Sequence, residues 1–568
     1  MIYGNRTLTR FDTIVVGSGA GGSAIAGMLA ANGQKVLVLE AGTNYFVGLD
    51  QPGKEFPQSI FSNDELKFKR RRFIMPDPTV EPRSFRRSAK DGDRRFIGDV
   101  NPLPKIVGGG AVHADLKTPR FLPTDFRLGT LLGEIPGAEF ADWSVGYDEL
   151  EPFYTYAEYA LGVQGIAGSI PGEGHRSAPY PMPPGVPMYA GLKLTEAARK
   201  LGYHPFDYPS AVNSRPYGGR PACIDCGFCG SYGCPTSAKN STAVTMLRSA
   251  LLSGNCQLRS DTRVSRLIAS SGAREVTGVE VIGPDGGREV LSADRYVLAA
   301  SPIEDARLLF LSDPQGPGLG NSSGRVGRDL LFHFQTIVTG IFEERMHTHR
   351  GRVVTNGMAD FRGVPGDPDR PLGGIIEFGA TSKPIEEAME YMRLPFRGKG
   401  LKRLLRESPF RDRMAVLTMQ GEDAPQASNR IDLDPSLKDL DGLPVARITY
   451  QHHKFELAAR KHYAPKMLKL LKTAGAHYGI VAPIDEPSQS FHVMGTLRFG
   501  DHPSTSVCNR DGRLHDVGNV YCADGALFPT SSGFNPTLTL IALASRVGAA
   551  MIDPRAPERA IPKLTLSN

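Results

Sequence analysis

Gly17, Gly19 and Gly22, spaced GxGxxG in IVVGSGAGG, and Glu40, which closes KVLVLE, are residue types at spacings that can hold a dinucleotide. Gly17 permits a tight turn and Gly19 lets the backbone approach a pyrophosphate. Gly22 lets the following helix pack on the strand, with its N-terminus toward the phosphates. A carboxylate at Glu40 can accept hydrogen bonds from a ribose diol and reject a 2'-phosphate. A second set lies near the other end of the chain: His492 in FHVMGTLRFG and Asn535 in FNPTLTL, with Asp524 and Gly525 between them in VYCADGALF. A neutral imidazole, with an ordinary pKa of about 6.5, suits proton acceptance near neutral pH. A third set is CIDCGFCGSYGCP, which spaces Cys223, Cys226, Cys229 and Cys234 as CxxCxxCxxxxC ahead of Pro235. Thiolates this close can share one metal site, although the last gap is one residue longer than in the bacterial ferredoxin run.

The elements that must position these residues are legible around them. Ile14, Val15 and Val16 form an apolar run suited to a buried parallel strand, 24–31 supplies a helix and 35–39 a second strand. Strand, glycines, helix, strand and terminal acid in that order specify a Rossmann-like unit far better than the glycines alone. RYVLAASPIEDARLLFLS repeats the scheme of apolar strand, small-residue turn and amphipathic helix, as at a second crossover facing the cofactor. Asp524 and Gly525 follow the strand-like 520–523, where ribityl or phosphate groups could sit, and Val264 joins them among the candidate cofactor contacts. Asn535 precedes Pro536, which disfavours helix at Asn535 and suits a helix beginning at Pro536, so the carboxamide projects from a helix start.

Between 336 and 492 the pattern changes to alternating apolar and polar residues, as in IVTGIFEE, AVLTMQ and ARITYQ, which suits an antiparallel sheet with one face on a pocket. VTGVEVIGPDGGREVLSADRYVL carries a hairpin signal at PDGG. The expected fold is α/β: a discontinuous Rossmann-like domain from 1–50, 101–125, 215–335 and 493–568, and an α+β substrate domain from 336–492. Segments 51–100 and 126–214 are left as lids, loops and the approach to the cysteines, with 51–100 and 164–190 rich in Pro, Gly and Arg. No internal repeat is evident.

At 568 residues the chain can bury two or more large cores, and its net charge of +6 is modest. The basic stretch 64–95, with Lys69, Arg70, Arg71 and Arg72, and a second run at 399–406 lack interleaved aromatics and any nucleic-acid fold signature, so they read as solvated excursions. No nucleic-acid partner is expected. No run of eighteen apolar residues predicts a membrane span, and MIYGNRTLTR passes straight into the first strand without a signal core or twin arginine, so a cytoplasmic address is expected.

VGSGAGG, VGGGAVH, YVLAASPIEDARLL, HVMGTLRFG and FNPTLTLIALASR together resemble the glucose-methanol-choline (GMC) family of FAD oxidoreductases over nearly the full length. YDELEPFYTYAEYALGV, NSRPYGGRPAC and VGGGAVHADLKTPRFLPTDF resemble its fructose, glucose and gluconate dehydrogenase branch, with pyranose oxidase as a cousin. The resemblance implies FAD as cofactor and His492 with Asn535 as the pair facing the flavin. His492 would take the hydroxyl proton of a carbinol while hydride passes to flavin N5, and Asn535 would donate to the same oxygen. His502 and His515 fall outside the matching motif and read as loop residues.

Gly109 and Gly110 would let the backbone pass close beneath the isoalloxazine ring, with His113 near it. In pyranose oxidase the matching histidine carries the flavin covalently; here Ala114 and Asp115 replace the residues that follow it, and a non-covalent flavin is the expectation. The likened branch holds an iron–sulfur cluster after NSRPY, with a different cysteine pattern. For the four cysteines an iron–sulfur cluster, a structural zinc, and reduced or disulfide-paired thiols all stay open. Cys256, Cys508 and Cys522 read as small apolar residues.

The expected activity is FAD-dependent oxidation of a hydroxyl of a sugar, glycoside or polyol, with electrons passed to a protein or quinone-like acceptor. The alternatives are an oxygen-using oxidase, a dehydrogenase for a non-sugar alcohol, and a non-catalytic flavoprotein. The same branch implies a possible small accessory subunit whose signal would export the pair.

Overall fold

The computed structural model describes the chain except residues 5–7, 53–57, 60–76, 99, 102, 228, 231, 381–396, 409, 411, 485, 487, 489 and 564–568. Lys69, Arg70, Arg71 and Arg72 therefore lie outside the described residues.

The apolar runs TIVV and VLVL are buried throughout as the strands Thr13–Val16 and Val36–Leu39. Strands without a polar face must be covered on both sides, and these stand at the centre of a six-stranded sheet. Its order is Ile2–Tyr3, Cys256–Arg259, Val36–Leu39, Thr13–Val16, Arg295–Leu298, Val520–Cys522, parallel except for the first pair. The helices Ala20–Ala31 and Thr537–Ile552 pack on each other. Each follows a site motif, the glycine turn and Asn535 respectively, so the packing of two apolar helices brings the two ends of the chain together. The hairpin at PDGG forms, with Ile282 paired to Arg288 in a separate three-stranded sheet.

A second six-stranded sheet is antiparallel, in the order Tyr478–Val481, Phe334–Ile341, Met414–Gly421, Gly374–Ala380, Val354–Met358, Pro205–Asp207. Its alternation sorts side chains between two environments. Val338, Leu417, Met419, Ile376 and Phe378 enter a core shared with the helices Tyr189–Lys200 and Lys454–Thr473. Gln335, Ile337, Thr418, Gln420 and Glu377 face the other way, into a cavity.

The loop expected over 51–100 contains a strand instead: Arg83–Arg86 is buried and pairs parallel to Pro444–Thr449. Its arginines hide it from a composition reading, because both are satisfied inside the protein. Arg83 reaches Glu304 at 2.8 Å and Arg86 reaches the Thr449 hydroxyl at 3.0 Å. The basic run 399–406 lies in the helix Gly398–Glu407, none of whose residues is buried. Among the described residues no helix is long and apolar enough to cross a membrane.

Candidate active site

Between the two large sheets lies a cavity of about 720 Å³. At one end is the glycine turn. Gly17 has φ +99°, and a Cβ there would stand 2.3 Å from the Ala299 carbonyl oxygen, so only glycine fits between the adjacent strands. A Cβ on Gly22 would lie 2.0 Å from the Gly17 carbonyl oxygen; that glycine lets the helix sit on the strand. Gly19 differs, because a Cβ there would meet nothing within 4 Å and would project into open space at the helix start. Gly109, at φ +56°, approaches the Gly19 backbone so closely that a Cβ would come within 2.9 Å of the Gly19 Cα. The two glycine turns thus form one cradle.

Glu40 ties that cradle together. Its Oε2 accepts from the Ser18 amide at 3.0 Å and the Ser18 hydroxyl at 2.6 Å, and its Oε1 from the Gly42 amide at 2.8 Å. Burial pushes its carboxyl up, and those same bonds from Ser18 and Gly42 oppose the rise. Gly19, Glu40, Val264, Asp524 and Gly525 all line the cavity, as do Gly109, Gly110 and His113. Asp524 spends both oxygens on the protein, accepting from the Ser301 amide at 2.9 Å and the Ala526 amide at 2.8 Å. Burial, then the neighbouring Asp524, raise Asp305 well above the carboxylate range, and burial raises Asp524 as well.

His492 and Asn535 line the same cavity, with Lys117, Glu377, Gln335 and Gln420. His492 is partly exposed, to the cavity, and Phe491 beside it is half exposed. Its Nδ1 lies 2.8 Å from Nδ1 of His333. Backbone register explains that contact: Leu331 and Met494 pair in an antiparallel bridge, exchanging bonds of 2.9 Å, so residues two positions outward on each side face one another. Burial, then electrostatic coupling to His333 and the charge of Lys117, hold His492 well below its ordinary pKa, so the imidazole is neutral.

Asn535 donates from Nδ2 to Glu377 Oε1 at 2.9 Å and accepts at Oδ1 from the Tyr208 hydroxyl at 2.5 Å. Glu377 in turn receives the Lys117 ammonium at 2.7 Å, and Asp115 lies 3.2 Å from the same nitrogen. Burial alone would lower Lys117; the two carboxylates outweigh it and keep the amine charged. Lys117, Tyr208, His333 and Glu377 escape the sequence reading. Glu377 had a signal, as the one charged residue in the strand GIIEFGA.

His502 is exposed and His515 bonds the Ser506 hydroxyl at 2.9 Å; neither lines the cavity.

Cys223, Cys226, Cys229 and Cys234 surround one small void with Val212 and Lys239. Among the described residues no three of these sulfurs lie within 4.8 Å of one another. Thiolates around one tetrahedral zinc, at bonds of about 2.3 Å, would be closer than that. The donor set therefore does not fit a single ion. Burial pushes the Cys223 thiol up to about 11 and that of Cys229 up to about 12, whereas ligation needs thiolates.

Two GMC oxidoreductase family models match, the N-terminal one over residues 188–335 and the C-terminal one over 425–544. A 2-methyl-1,2-propanediol dehydrogenase of Mycolicibacterium austroafricanum is 30% identical, across 94% of this chain and 94% of that protein. The chain is a GMC oxidoreductase. The fructose dehydrogenase large subunit of Gluconobacter japonicus is 27% identical to this GMC protein, with 97% of this chain and 99% of that one covered. Formate oxidase shares the fold, with a TM-score of 0.64 at 14% identity over 95% of this chain and 98% of that one. FAD is the cofactor the cavity fits: a glycine turn with open space at Gly19, a helix N-terminus behind it and a buried acid at Glu40 suit the dinucleotide half. The groove continues past Gly110 and His113 to His492.

Proposed function

We propose that this GMC oxidoreductase oxidises a hydroxyl group of a sugar, glycoside or polyol. When bound, FAD supplies the hydride acceptor. His492 takes the hydroxyl proton; a neutral imidazole open to the cavity is in the state a general base requires. Asn535 steadies the substrate oxygen with its second Nδ2 hydrogen, the first being committed to Glu377. Gln335, Gln420, Glu377 and the Lys117 ammonium give the surrounding wall several donors and acceptors, which supports a substrate with more than one hydroxyl. The single observation that carries the reading is that His492 and Asn535 line the same cavity as the glycine cradle.

Electrons then leave to a protein or quinone-like acceptor rather than to oxygen; oxygen uptake matching substrate turnover would reassign the protein as an oxidase. An iron–sulfur cluster on the four cysteines would provide such an exit. Their arrangement around one void beside the buried Lys239 supports it, since a thiolate cluster is anionic. Iron and acid-labile sulfide bound in stoichiometric amount would bear this part out, and their absence from protein prepared without oxygen would remove it. The flavin is held at His113 without a covalent bond, so protein run on a denaturing gel carries no flavin fluorescence.

The experiment that tests the reading is anaerobic mixing of the flavin-loaded protein with hexoses, gluconate, amino sugars, polyols, aliphatic diols and simple alcohols. A polyhydroxy compound bleaching the flavin faster than the simple alcohols supports it. No bleaching by any of them would leave a flavoprotein without this activity.

A further inference from the structure

We infer that His333 is a positioning residue that decides which nitrogen of His492 carries a proton, leaving Nε2 of His492 as the bare acceptor. The inference rests on the proton-accepting role proposed for His492.

The argument begins at a carbonyl. His333 Nε2 lies 3.0 Å from the Ser531 carbonyl oxygen, which can only accept, so that nitrogen bears a hydrogen. A neutral imidazole has one N–H, so Nδ1 of His333 is a lone pair. It lies 2.8 Å from Nδ1 of His492, which must then be the donor. His492, neutral with its hydrogen on Nδ1, presents Nε2 unprotonated on a ring that lines the cavity. The rings stand at 89°, their centroids 4.8 Å apart, so the contact is edge to edge rather than stacked.

Two features hold the chain of bonds in this direction. The carbonyl is pinned: Ser531 Oγ donates to Glu422 Oε1 at 2.8 Å, and Ser532 Oγ to Asp125 Oδ2 at 2.8 Å. Burial also lowers His333 to about 4, which keeps it singly protonated. A doubly protonated His333 would reverse the relation, placing the hydrogen of His492 on Nε2 where it could accept nothing. During turnover the substrate O–H bond breaks and its proton goes to His492 Nε2. The carbon's hydrogen leaves with its electron pair for the bound flavin, and the imidazolium keeps its Nδ1–H on His333.

The test compares flavin-loaded, full-length protein with its His333→Asn and His333→Leu variants. Asparagine places an acceptor oxygen where Nδ1 stood; leucine places none. Ring-nitrogen NMR of the parent, with the His492 signal assigned by its loss in His492→Gln, should show Nδ1 protonated and Nε2 bare. With the panel alcohol that bleaches parent flavin fastest, His333→Leu should lower the rate at saturating substrate by about 10²-fold, and His333→Asn by no more than about tenfold. A protonated Nε2 in the parent overturns the inference. So do equal losses in both variants, which would assign His333 to packing, or no loss in either. If leucine prevents flavin binding, the parent spectrum and the asparagine variant decide, and a loss beyond about 10²-fold with asparagine counts against it. Should no alcohol bleach the flavin, the proposed function fails while the nitrogen signals still test this inference alone.

Discussion

Asn535 donates from its amide nitrogen to Glu377 over 2.9 Å, and this bond fixes which way the carboxamide faces. A carboxylate paired with Lys117 can only accept, so nitrogen and not oxygen must be on that side. Glu377→Gln removes the constraint, because a carboxamide can meet Asn535 in either orientation. Among the described residues, Lys117 then keeps Asp115 as its carboxylate partner. The expected result is retained flavin, a stability loss of about 1–3 kcal/mol, and flavin reduction slowed by about 10²-fold. Thermal melting and anaerobic stopped flow on one preparation measure both. Unchanged reduction would mean that the orientation of Asn535 does not matter.

Gly19 and Gly22 separate cofactor binding from folding. Alanine at Gly22 would drive its methyl to 2.0 Å from the Gly17 carbonyl oxygen, so the crossover must shift. The cost exceeds the about 1–3 kcal/mol usual for overpacking, and little soluble protein is expected. Alanine at Gly19 meets nothing in the protein, so the chain should fold and melt as the parent apoprotein does. Its methyl occupies the space needed by the pyrophosphate, so the flavin-to-protein ratio after purification should fall below one tenth of the parent's, about 1.4 kcal/mol or more of lost affinity. A Gly19→Ala protein with full flavin would move the phosphate site elsewhere.

The strands and glycine turn were legible because their determinants are local: TIVV and VLVL must be covered on both faces, and the spacing of Gly17, Gly19 and Gly22 lies within one turn. That His492 and Asn535 would line one cavity was legible through the motifs around them. His333 was not, since its meeting with His492 depends on the Leu331–Met494 bridge between distant segments. Lys117, Tyr208 and Glu377 likewise come from separate segments, and only the folded sheet reveals that they support Asn535. The strand Arg83–Arg86 was obscured for a different reason, its arginines being paired inside the protein.

The depressed pKa of His492 sets the pH dependence. The base proposed here acts when neutral, so activity is expected above its pKa and lost as pH falls through it. Burial, His333 and Lys117 move that point well below the ordinary value of about 6.5. The acid limb of the flavin-reduction rate should therefore lie below the ordinary histidine value of about 6.5, with the rate nearly level above it. Stopped-flow rates across this range, with melting at each pH to separate unfolding, check it. A limb centred at or above 6.5 would show that His492 is not held neutral by its surroundings.

The most direct test of the account is anaerobic flavin reduction by flavin-loaded His492→Ala beside the parent, using the substrate that bleaches the parent fastest. With Asn535 and the cradle intact, the variant should bind flavin normally and reduce it about 10²–10⁴-fold more slowly, the range lost with a positioned general base. Reduction at the parent rate would contradict the assignment of His492 as the group that takes the proton.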